Sequence, residues 1–180
     1  MTVSALVLAG GRATRLGGVD KLALVIDGAT ILDRLAAVLA PRVAEIVIAT
    51  PRDVAGYRCV RDAPGEGPLA GIAAGLDACA TPWLVVVAGD MPHLTGALVD
   101  RMLAARGATV AAVGVRHAGR PEPLVCALHA TSVRPAVARR LAAGRFKASG
   151  LLADEGLNVV WVDEPDPRPL VNVNTPADLC

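Results

Sequence analysis

The chain has 180 residues, of which 53% are hydrophobic and 19% are charged. This length and composition predict one folded domain and exclude a disordered protein. The 18 basic and 17 acidic side chains leave a net charge of +1, so no broad electrostatic field for nucleic acid or for an anionic membrane is expected. Aromatic residues, at 2%, are too few for the stacking surfaces that bind single-stranded nucleic acid.

The N-terminal segment and the cysteines favour a cytoplasmic location. The opening residues lack the basic start and long apolar stretch of a secretory signal, and no run of 18 apolar residues predicts a transmembrane helix. The cysteines form no C-x-x-C pair, so a zinc site is not expected, and we interpret them as small buried hydrophobes in a reducing compartment. They are Cys59, Cys79, Cys126 and Cys180.

Short apolar runs alternate along the chain with helical patterns. The first strand is predicted over residues 4–8 (SALVL), which form a continuous apolar run that stops at a glycine pair. A helix follows, with Thr30 as its N-cap and Pro41 at its end. Residues 45–49 (EIVIA) predict the second strand.

The middle of the chain repeats this pattern. Residues 68–80 are rich in alanine and leucine and predict a helix. Residues 83–88 (WLVVVA) form the most apolar run, which is typical of a central strand. Thr95 is expected to cap a helix that extends to about residue 106, and a strand is predicted over residues 109–113.

The second half is less regular. A polar stretch with two prolines, residues 116–123, is predicted to be a loop, with a strand over 124–128 and a helix over 132–143. The remaining expectations are a short helix at 151–154, a strand at 158–162, a loop at 163–169, a short segment at 171–174 and a final helix from Pro176.

Strands separated by helices predict a mostly parallel central sheet that is covered on both faces. We therefore expect a single α/β domain with three layers over residues 1–180. Sites in such sheets lie beyond the carboxyl ends of the strands, so the residues directly after each apolar run are the candidates for chemistry.

The first candidate site follows the first strand. Residues 8–21 hold four glycines, Arg12, Arg15 and Lys21, one of only two lysines in the chain. Glycines let backbone N–H groups close around phosphate oxygens, and the cations neutralise the remaining charge. The spacing matches neither a P-loop nor a G-x-G-x-x-G dinucleotide loop. A glycine-rich turn with solvated arginines is the alternative.

The second candidate is Asp90, which directly follows the central strand within G-D-x-P. A carboxylate at this place costs desolvation unless a positive charge pairs with it. Mg²⁺ fits, because it takes one or two protein carboxylates and completes its shell with water and substrate phosphate. The alternative is that Asp90 caps the following turn.

Two further segments carry polar groups that could select a substrate. Asp62 opens the loop before the alanine-rich helix and could accept two hydrogen bonds from the N1–H and N2–H₂ groups of guanine; a surface turn is its alternative. Asn172 and Asn174 alternate around Val173 and share one side if the segment is extended, although a purely architectural role is open. The three histidines show no nucleophile–base or metal spacing.

Four motifs together resemble the molybdenum cofactor guanylyltransferases (MobA-type) of the nucleotidyltransferase family, whose fold is Rossmann-like. They run in order over essentially the whole chain: LAGG-x3-R-x2-G-x-DK, GPLAG, G-D-x-P and NVNTP-x-DL. The resemblance implies that GMP is transferred from Mg²⁺-GTP to the phosphate of molybdopterin, with release of pyrophosphate. The alternatives are the cytidylyltransferase for the same cofactor, another small-molecule nucleotidyltransferase, and a degenerate nucleotide-binding module.

The resemblance also implies roles for individual residues. The catalytic residues would be Arg15 and Lys21 at the phosphates and Asp90 on Mg²⁺, with Asn172 and Asn174 toward the second substrate. Arg120, Arg145 and Lys147 are our candidates for the pterin phosphate. The residues expected on GTP are Leu8, Ala9, Gly10, Gly11, Lys21, Asp62, Pro68, Leu69, Gly71 and Asp90.

The family pattern also has departures and implied partners. Ala49 stands where relatives can carry an asparagine that contacts the nucleotide, so either that contact is absent or the neighbouring Thr50 supplies it. The expected partners are GTP and molybdopterin, with neither nucleic acid nor membrane, and with transient contacts to other molybdenum cofactor proteins.

Overall fold

A seven-stranded sheet forms the centre of the protein, in a computed structural model that describes residues 2–9, 21–61, 67–153 and 156–173. A separate two-stranded ribbon accompanies it. The strands are β1 (Val3–Leu8), β2 (Val25–Ile26), β3 (Ala29–Thr30), β4 (Ile46–Ala49), β5 (Arg58–Val60), β6 (Trp83–Ala88), β7 (Ala112–His117), β8 (Arg120–His129) and β9 (Val159–Asp163). The helices are α1 (Ile31–Leu39), α2 (Gly67–Ala78), α3 (Gly96–Ala104) and α4 (Ala130–Ala142).

The large sheet has the order β5-β4-β1-β6-β8-β7-β9. All neighbouring strands are parallel except at β8, which is antiparallel to both β6 and β7. The predicted mostly parallel α/β fold is therefore confirmed. Six of the seven carboxyl ends lie at one edge of the sheet, which we call the carboxyl edge.

Helices cover both faces of the sheet, and the side chains of each strand alternate between two cores. Val85 and Val87 of β6 belong to the core with α1 and α3, whereas Leu84 and Val86 belong to the core with α2 and α4. Every residue of β1 and β6 is buried, which explains why these strands have continuous apolar runs rather than an alternating pattern.

The predicted helix starts are also confirmed. The Thr30 side chain accepts a hydrogen bond from the backbone N–H of Asp33, whose carboxylate accepts from the backbone N–H of Thr30, so α1 begins with a full capping box. The Thr95 side chain accepts from the backbone N–H of Leu98 at the start of α3.

The predicted loop over 116–123 is wrong, because these residues form the ends and the turn of the β7–β8 hairpin. Ala118 and Gly119 have φ values of 47° and 76°, as a two-residue turn between twisted strands requires. The last pair between β6 and β8 is Val87–Val125, so Pro121 and Pro123 lie beyond β6, where no ladder on that side needs their missing N–H groups.

Other boundaries differ from the sequence predictions. The three-residue strand β5 and the β2–β3 ribbon were not predicted, and β7 begins at Ala112 instead of residue 109. In place of a helix at 151–154, a 3₁₀ turn spans Ala148–Gly150 and residues 151–153 form turns. The expected final helix lies outside the described residues. No helix in the described part of the chain is long and apolar enough to cross a membrane.

The described cysteines are free thiols, and Cys180 lies outside the described residues. Cys126 lies on β8 and is buried in the core between the sheet and the helices α2 and α4. This burial raises the pKa of its thiol to about 12. Since the thiolate is the nucleophile, Cys126 acts as a small apolar side chain.

Gly89 allows β1 and β6 to approach closely at the carboxyl edge. Its backbone N–H donates to the carbonyl oxygen of Leu8 at 2.9 Å. A Cβ atom on Gly89 would lie 2.9 Å from that same oxygen and 3.0 Å from a methyl carbon of Leu22. The chain segment that carries Asp90 is therefore placed by a contact that only glycine permits.

We predict that Gly89→Ala lowers the free energy of unfolding by about 1–3 kcal/mol, because the new methyl group meets backbone that cannot rotate away. Gly107→Ala is the control, since Gly107 is exposed and the new Cβ would meet only a methyl carbon of Val110 at 3.3 Å. Its effect should stay within about 0.5 kcal/mol. Urea unfolding of both variants makes the comparison, and equal stabilities would contradict the packing argument.

Candidate active site

The carboxyl edge has a topological switch point between β1 and β6. The chain passes from β1 outward to β4 and β5 on one side, and then returns to β6 on the other side of β1. Crevices at such points are the usual ligand sites of open α/β sheets. The segments that leave β1 and β6 carry the glycine-rich loop and Asp90, so the fold brings the first two candidate motifs to one crevice.

Lys21 and Asp90 form an ion pair at this crevice, with Nζ of Lys21 2.9 Å from Oδ2 of Asp90. The two side chains are 27% and 22% exposed, so both remain accessible to a ligand. This pair brings the last residue of the first motif into contact with Asp90, 69 positions later in the sequence.

Backbone contacts on either side hold this pair. Lys21 opens a 3₁₀ turn whose next residue, Leu22, is buried in the core and lies beneath Gly89. The carbonyl oxygen of Asp90 accepts a hydrogen bond of 2.8 Å from the backbone N–H of Val173. Three separate chain segments therefore converge on Asp90.

The chemistry of this crevice suits a hard divalent cation. Asp90 offers carboxylate oxygens that a cation already reaches, as the Lys21 contact demonstrates. In the described part of the chain, no group of three or more histidine, cysteine, aspartate or glutamate side chains could enclose a metal. Mg²⁺ suits the donor set present, because it binds one or two protein carboxylates together with water and phosphate oxygens.

The N-terminus of α2 lies at the carboxyl edge, because α2 follows the parallel strand β5. Pro68 is half-buried, whereas Leu69 and Gly71 are buried, so these predicted nucleotide-side residues lie in the first turns of the helix. The backbone N–H of Leu69 donates to the carbonyl oxygen of Phe146 at 3.2 Å. This contact places the segment 145–147 directly against the start of α2.

Arg145 and Lys147 flank Phe146 and are both exposed. The structure therefore brings them to the start of α2, beside residues that the sequence assigned to the nucleotide. Pro68 has no N–H group and the N–H of Leu69 is already paired with Phe146, so the attraction of this end of α2 for anions comes from the partial positive charge of the helix N-terminus and from the two cations.

The other predicted residues are more dispersed. Arg120 is exposed at the start of β8, next to the hairpin turn. Asn172 is exposed and directly precedes Val173, whose backbone N–H donates to the carbonyl oxygen of Asp90. Leu8 is the last residue of β1, and the backbone N–H of the next residue, Ala9, donates to the carbonyl oxygen of Ala49 at 2.9 Å. Arg15, Gly10, Gly11, Asp62 and Asn174 lie outside the described residues.

Thr50, the alternative to the missing asparagine, is buried and its hydroxyl oxygen accepts from the backbone N–H of Arg52 at 3.3 Å. The hydroxyl thus takes part in a local turn, and a contact between Thr50 and a nucleotide stays a prediction. The histidines are likewise engaged locally: Nδ1 of His117 lies 2.8 Å from the carbonyl oxygen of Glu164, and Nδ1 of His129 lies 2.8 Å from Oγ of Ser132.

Glu122 is a residue of this region that the sequence analysis missed. It lies on β8 and is half-buried. Burial raises the pKa of its carboxyl above the ordinary value, the hydrogen bond from the backbone N–H of Leu124 lowers it, and the negative charge of Asp90 raises it again. The available signal for the hairpin was the turn dipeptide Ala118-Gly119. An apolar run that ends in polar residues precedes it, and a polar stretch that ends in an apolar run follows it and contains Glu122.

The sequence and the fold both have known relatives. The family model of the MobA-like NTP transferase domain matches residues 5–159. A molybdenum cofactor guanylyltransferase of Cereibacter sphaeroides is 35% identical over 99% of this chain and 94% of its own length. One from Acidiphilium cryptum is 37% identical over 97% of this chain and 91% of its own length.

A solved structure has the same fold. Molybdopterin-guanine dinucleotide biosynthesis protein A from Archaeoglobus fulgidus superposes with a TM-score of 0.78 at 24% identity, covering 98% of this chain and 94% of that one. The matched family model spans most of the chain and includes most of β1, all of α2 and β6, and the Lys21–Asp90 pair. The chain therefore belongs to the MobA-like NTP transferase family, and it is a nucleotidyltransferase.

Proposed function

We propose that this enzyme transfers GMP from Mg²⁺-GTP to the phosphate of molybdenum-bound molybdopterin, giving the guanine dinucleotide form of the cofactor and pyrophosphate. The observation that carries the proposal is the Lys21–Asp90 pair at the switch point of the sheet, in a chain whose relatives at 35% and 37% identity have this activity in their names. We assign the reaction to residues 1–180 as one domain acting in the cytoplasm, with transient contacts to other molybdenum cofactor proteins.

Asp90 would hold Mg²⁺ in the complex with the nucleotide. The cation supplies charge neutralisation at the triphosphate when it is bound. In the ligand-free enzyme Lys21 neutralises Asp90, which limits the cost of keeping a carboxylate in a partly buried crevice. Once Asp90 has another cation as its partner, Lys21 is available to contact a phosphate oxygen. The same two residues thus serve both states of the enzyme.

The reaction asks the protein for little proton transfer. The phosphate of the acceptor is already an anion, so it attacks the α-phosphorus without a strong general base. Catalysis then rests on positioning and on neutralising the charge that develops at the α-phosphate, to which Lys21 and Arg15 would contribute. The local hydrogen bonds of His117 and His129 accord with this scheme, since neither ring is needed as a base.

The N-terminus of α2 would receive the nucleotide, with Pro68, Leu69 and Gly71 at close approach and Asp62 on the guanine edge. We propose that the exposed cations Arg145 and Lys147 guide the phosphate of the acceptor, with Arg120 as a further contact. Their place beside α2 supports this role, because it would bring the two phosphate groups that react toward one side of the crevice. Asn172 and Asn174 would contact the acceptor from the segment that is anchored to Asp90.

We predict that Lys21→Ala lowers kcat by about 10²–10³-fold, because a preorganised charge at the developing negative charge is lost. The effect on kcat should exceed the effect on KM for GTP, since the contact tightens in the transition state. Asp90→Asn should lower turnover at least as strongly. Pyrophosphate release from GTP with molybdopterin measures both.

Arg116→Ala is the matched control for these two variants. Arg116 is another cation at the carboxyl edge, but its guanidinium is paired with Asp163 and not with Asp90. Its turnover should remain within a few-fold of the wild type. A Lys21→Ala enzyme that differs from the wild type only in its KM for molybdopterin would contradict the assignment of Lys21 to the triphosphate.

The preference for guanine gives a separate prediction. In the wild type we expect hydrogen bonding to guanine to favour GTP over CTP and ATP by about 1–3 kcal/mol. Asp62→Ala should therefore reduce kcat/KM for GTP and bring it closer to the values for CTP and ATP. Asp53→Ala is the control, because Asp53 is an exposed carboxylate paired with Arg61 at the same end of the sheet. Equal use of GTP and CTP by the wild type would instead favour the cytidylyltransferase alternative, and an unchanged ratio in Asp62→Ala would exclude base selection by Asp62.

A further inference from the structure

The strand β8 extends beyond the end of β6 at the candidate active site. The last pair between the two strands is Val87–Val125, whereas β8 begins five residues earlier in the chain, at Arg120. Residues 120–124 therefore form an overhang beyond β6, of which only residues 120–122 pair with β7. Asp90 follows the end of β6 by two residues, and counting on from the antiparallel pair Val87–Val125 places Asp90 level with Glu122 of the overhang.

A β-bulge shapes this overhang. Gly114 of β7 pairs with Cys126, but the next residue, Val115, pairs with Glu122. Residues 123–125 thus stand out of the ladder with β7, and Pro123 among them has no N–H group to leave unpaired. Bulges change the direction of side chains and are frequent next to active sites. This bulge sets the position of the Glu122 backbone relative to β7.

The carboxylate of Glu122 is only weakly satisfied within the protein. Its hydrogen bond is the one that Oε1 accepts from the backbone N–H of Leu124, at 3.4 Å. In the described part of the chain it has no ion pair, although it is half-buried. The negative charge of Asp90 acts on Glu122 by raising its pKa, and Asp90 itself is paired with Lys21.

The net charge of Lys21, Asp90 and Glu122 determines how strongly this site attracts a divalent cation. Asp90 and Lys21 together are neutral, so by themselves they have no net attraction for a divalent cation. A carboxylate on the overhang makes the group of three negative, and in a partly desolvated crevice that charge is poorly screened. We propose that Glu122 is a positioning residue that acts through Asp90, its negative charge favouring a divalent cation over Lys21 as the partner of Asp90. This inference rests on the proposed function.

The test measures binding of Mn²⁺ alone to the ligand-free protein, using the electron paramagnetic resonance signal of free Mn²⁺ above neutral pH. Glu122→Gln keeps the acceptor for Leu124 but removes the charge, and it should weaken Mn²⁺ binding by about 5–30-fold. Glu122→Asp should recover part of the affinity. Asp163→Asn is the control: it removes a carboxylate from the carboxyl edge, at the end of β9, where it is paired with Arg116, and it should leave Mn²⁺ affinity unchanged.

Turnover gives a second readout. Glu122→Gln should raise the Mg²⁺ concentration needed for half-maximal pyrophosphate release, while kcat at saturating Mg²⁺ stays close to that of the wild type. A structural defect would instead lower kcat at every Mg²⁺ concentration. Equal Mn²⁺ affinities of Glu122→Gln, Asp163→Asn and the wild type would overturn the proposal for Glu122. A wild type that binds Mn²⁺ as proposed but releases no pyrophosphate with any nucleotide would overturn the proposed function instead.

Discussion

The candidate site depends on the close contact between the carboxyl ends of β1 and β6. The backbone N–H of Gly89 donates to the carbonyl oxygen of Leu8, and no side chain separates the two strands at this point. This contact fixes the origin of two segments at once: the glycine-rich loop that follows β1 and the Gly89-Asp90 pair that follows β6. Leu22 packs beneath Gly89 and returns the chain to the same place, so Lys21 meets Asp90 as a consequence of backbone packing.

The Lys21–Asp90 pair contributes little to the stability of the fold. Ion pairs that solvent reaches are worth about 0.2–1 kcal/mol, and both of these side chains are more than one-fifth exposed. Burial of β1, β6 and the helices that cover them provides far more. The pair therefore places two partly exposed, opposite charges at the crevice without being required for the packing of the core.

The sequence could predict the parts of the fold that follow from local patterns. The apolar runs of β1 and β6 and the helix caps Thr30 and Thr95 are each recognisable from a few neighbouring residues. Asp90 comes just after the second of these runs, which is why the sequence pointed to the carboxyl edge as the candidate site. The start of β8 could not be predicted in this way. Its prolines and charges resemble those of a loop, and only the pairing with β7, together with the absence of β6 beside it, makes a strand there favourable. Glu122 was missed for the same reason.

The contact between α2 and the segment 145–147 has a consequence for how the site works. Gly67 has a φ of 66° and its Cα approaches the carbonyl oxygen of Phe146 so closely that a Cβ would lie 3.0 Å from it. The start of α2 is therefore joined to a segment from the second half of the chain, next to two exposed cations. Donor and acceptor phosphates are both anions that must approach each other, and their repulsion falls when cations and a helix N-terminus share one side of the crevice. In the proposed reaction, the packing of Gly67 against Phe146 would thus keep the end of α2 that faces the nucleotide next to two cations.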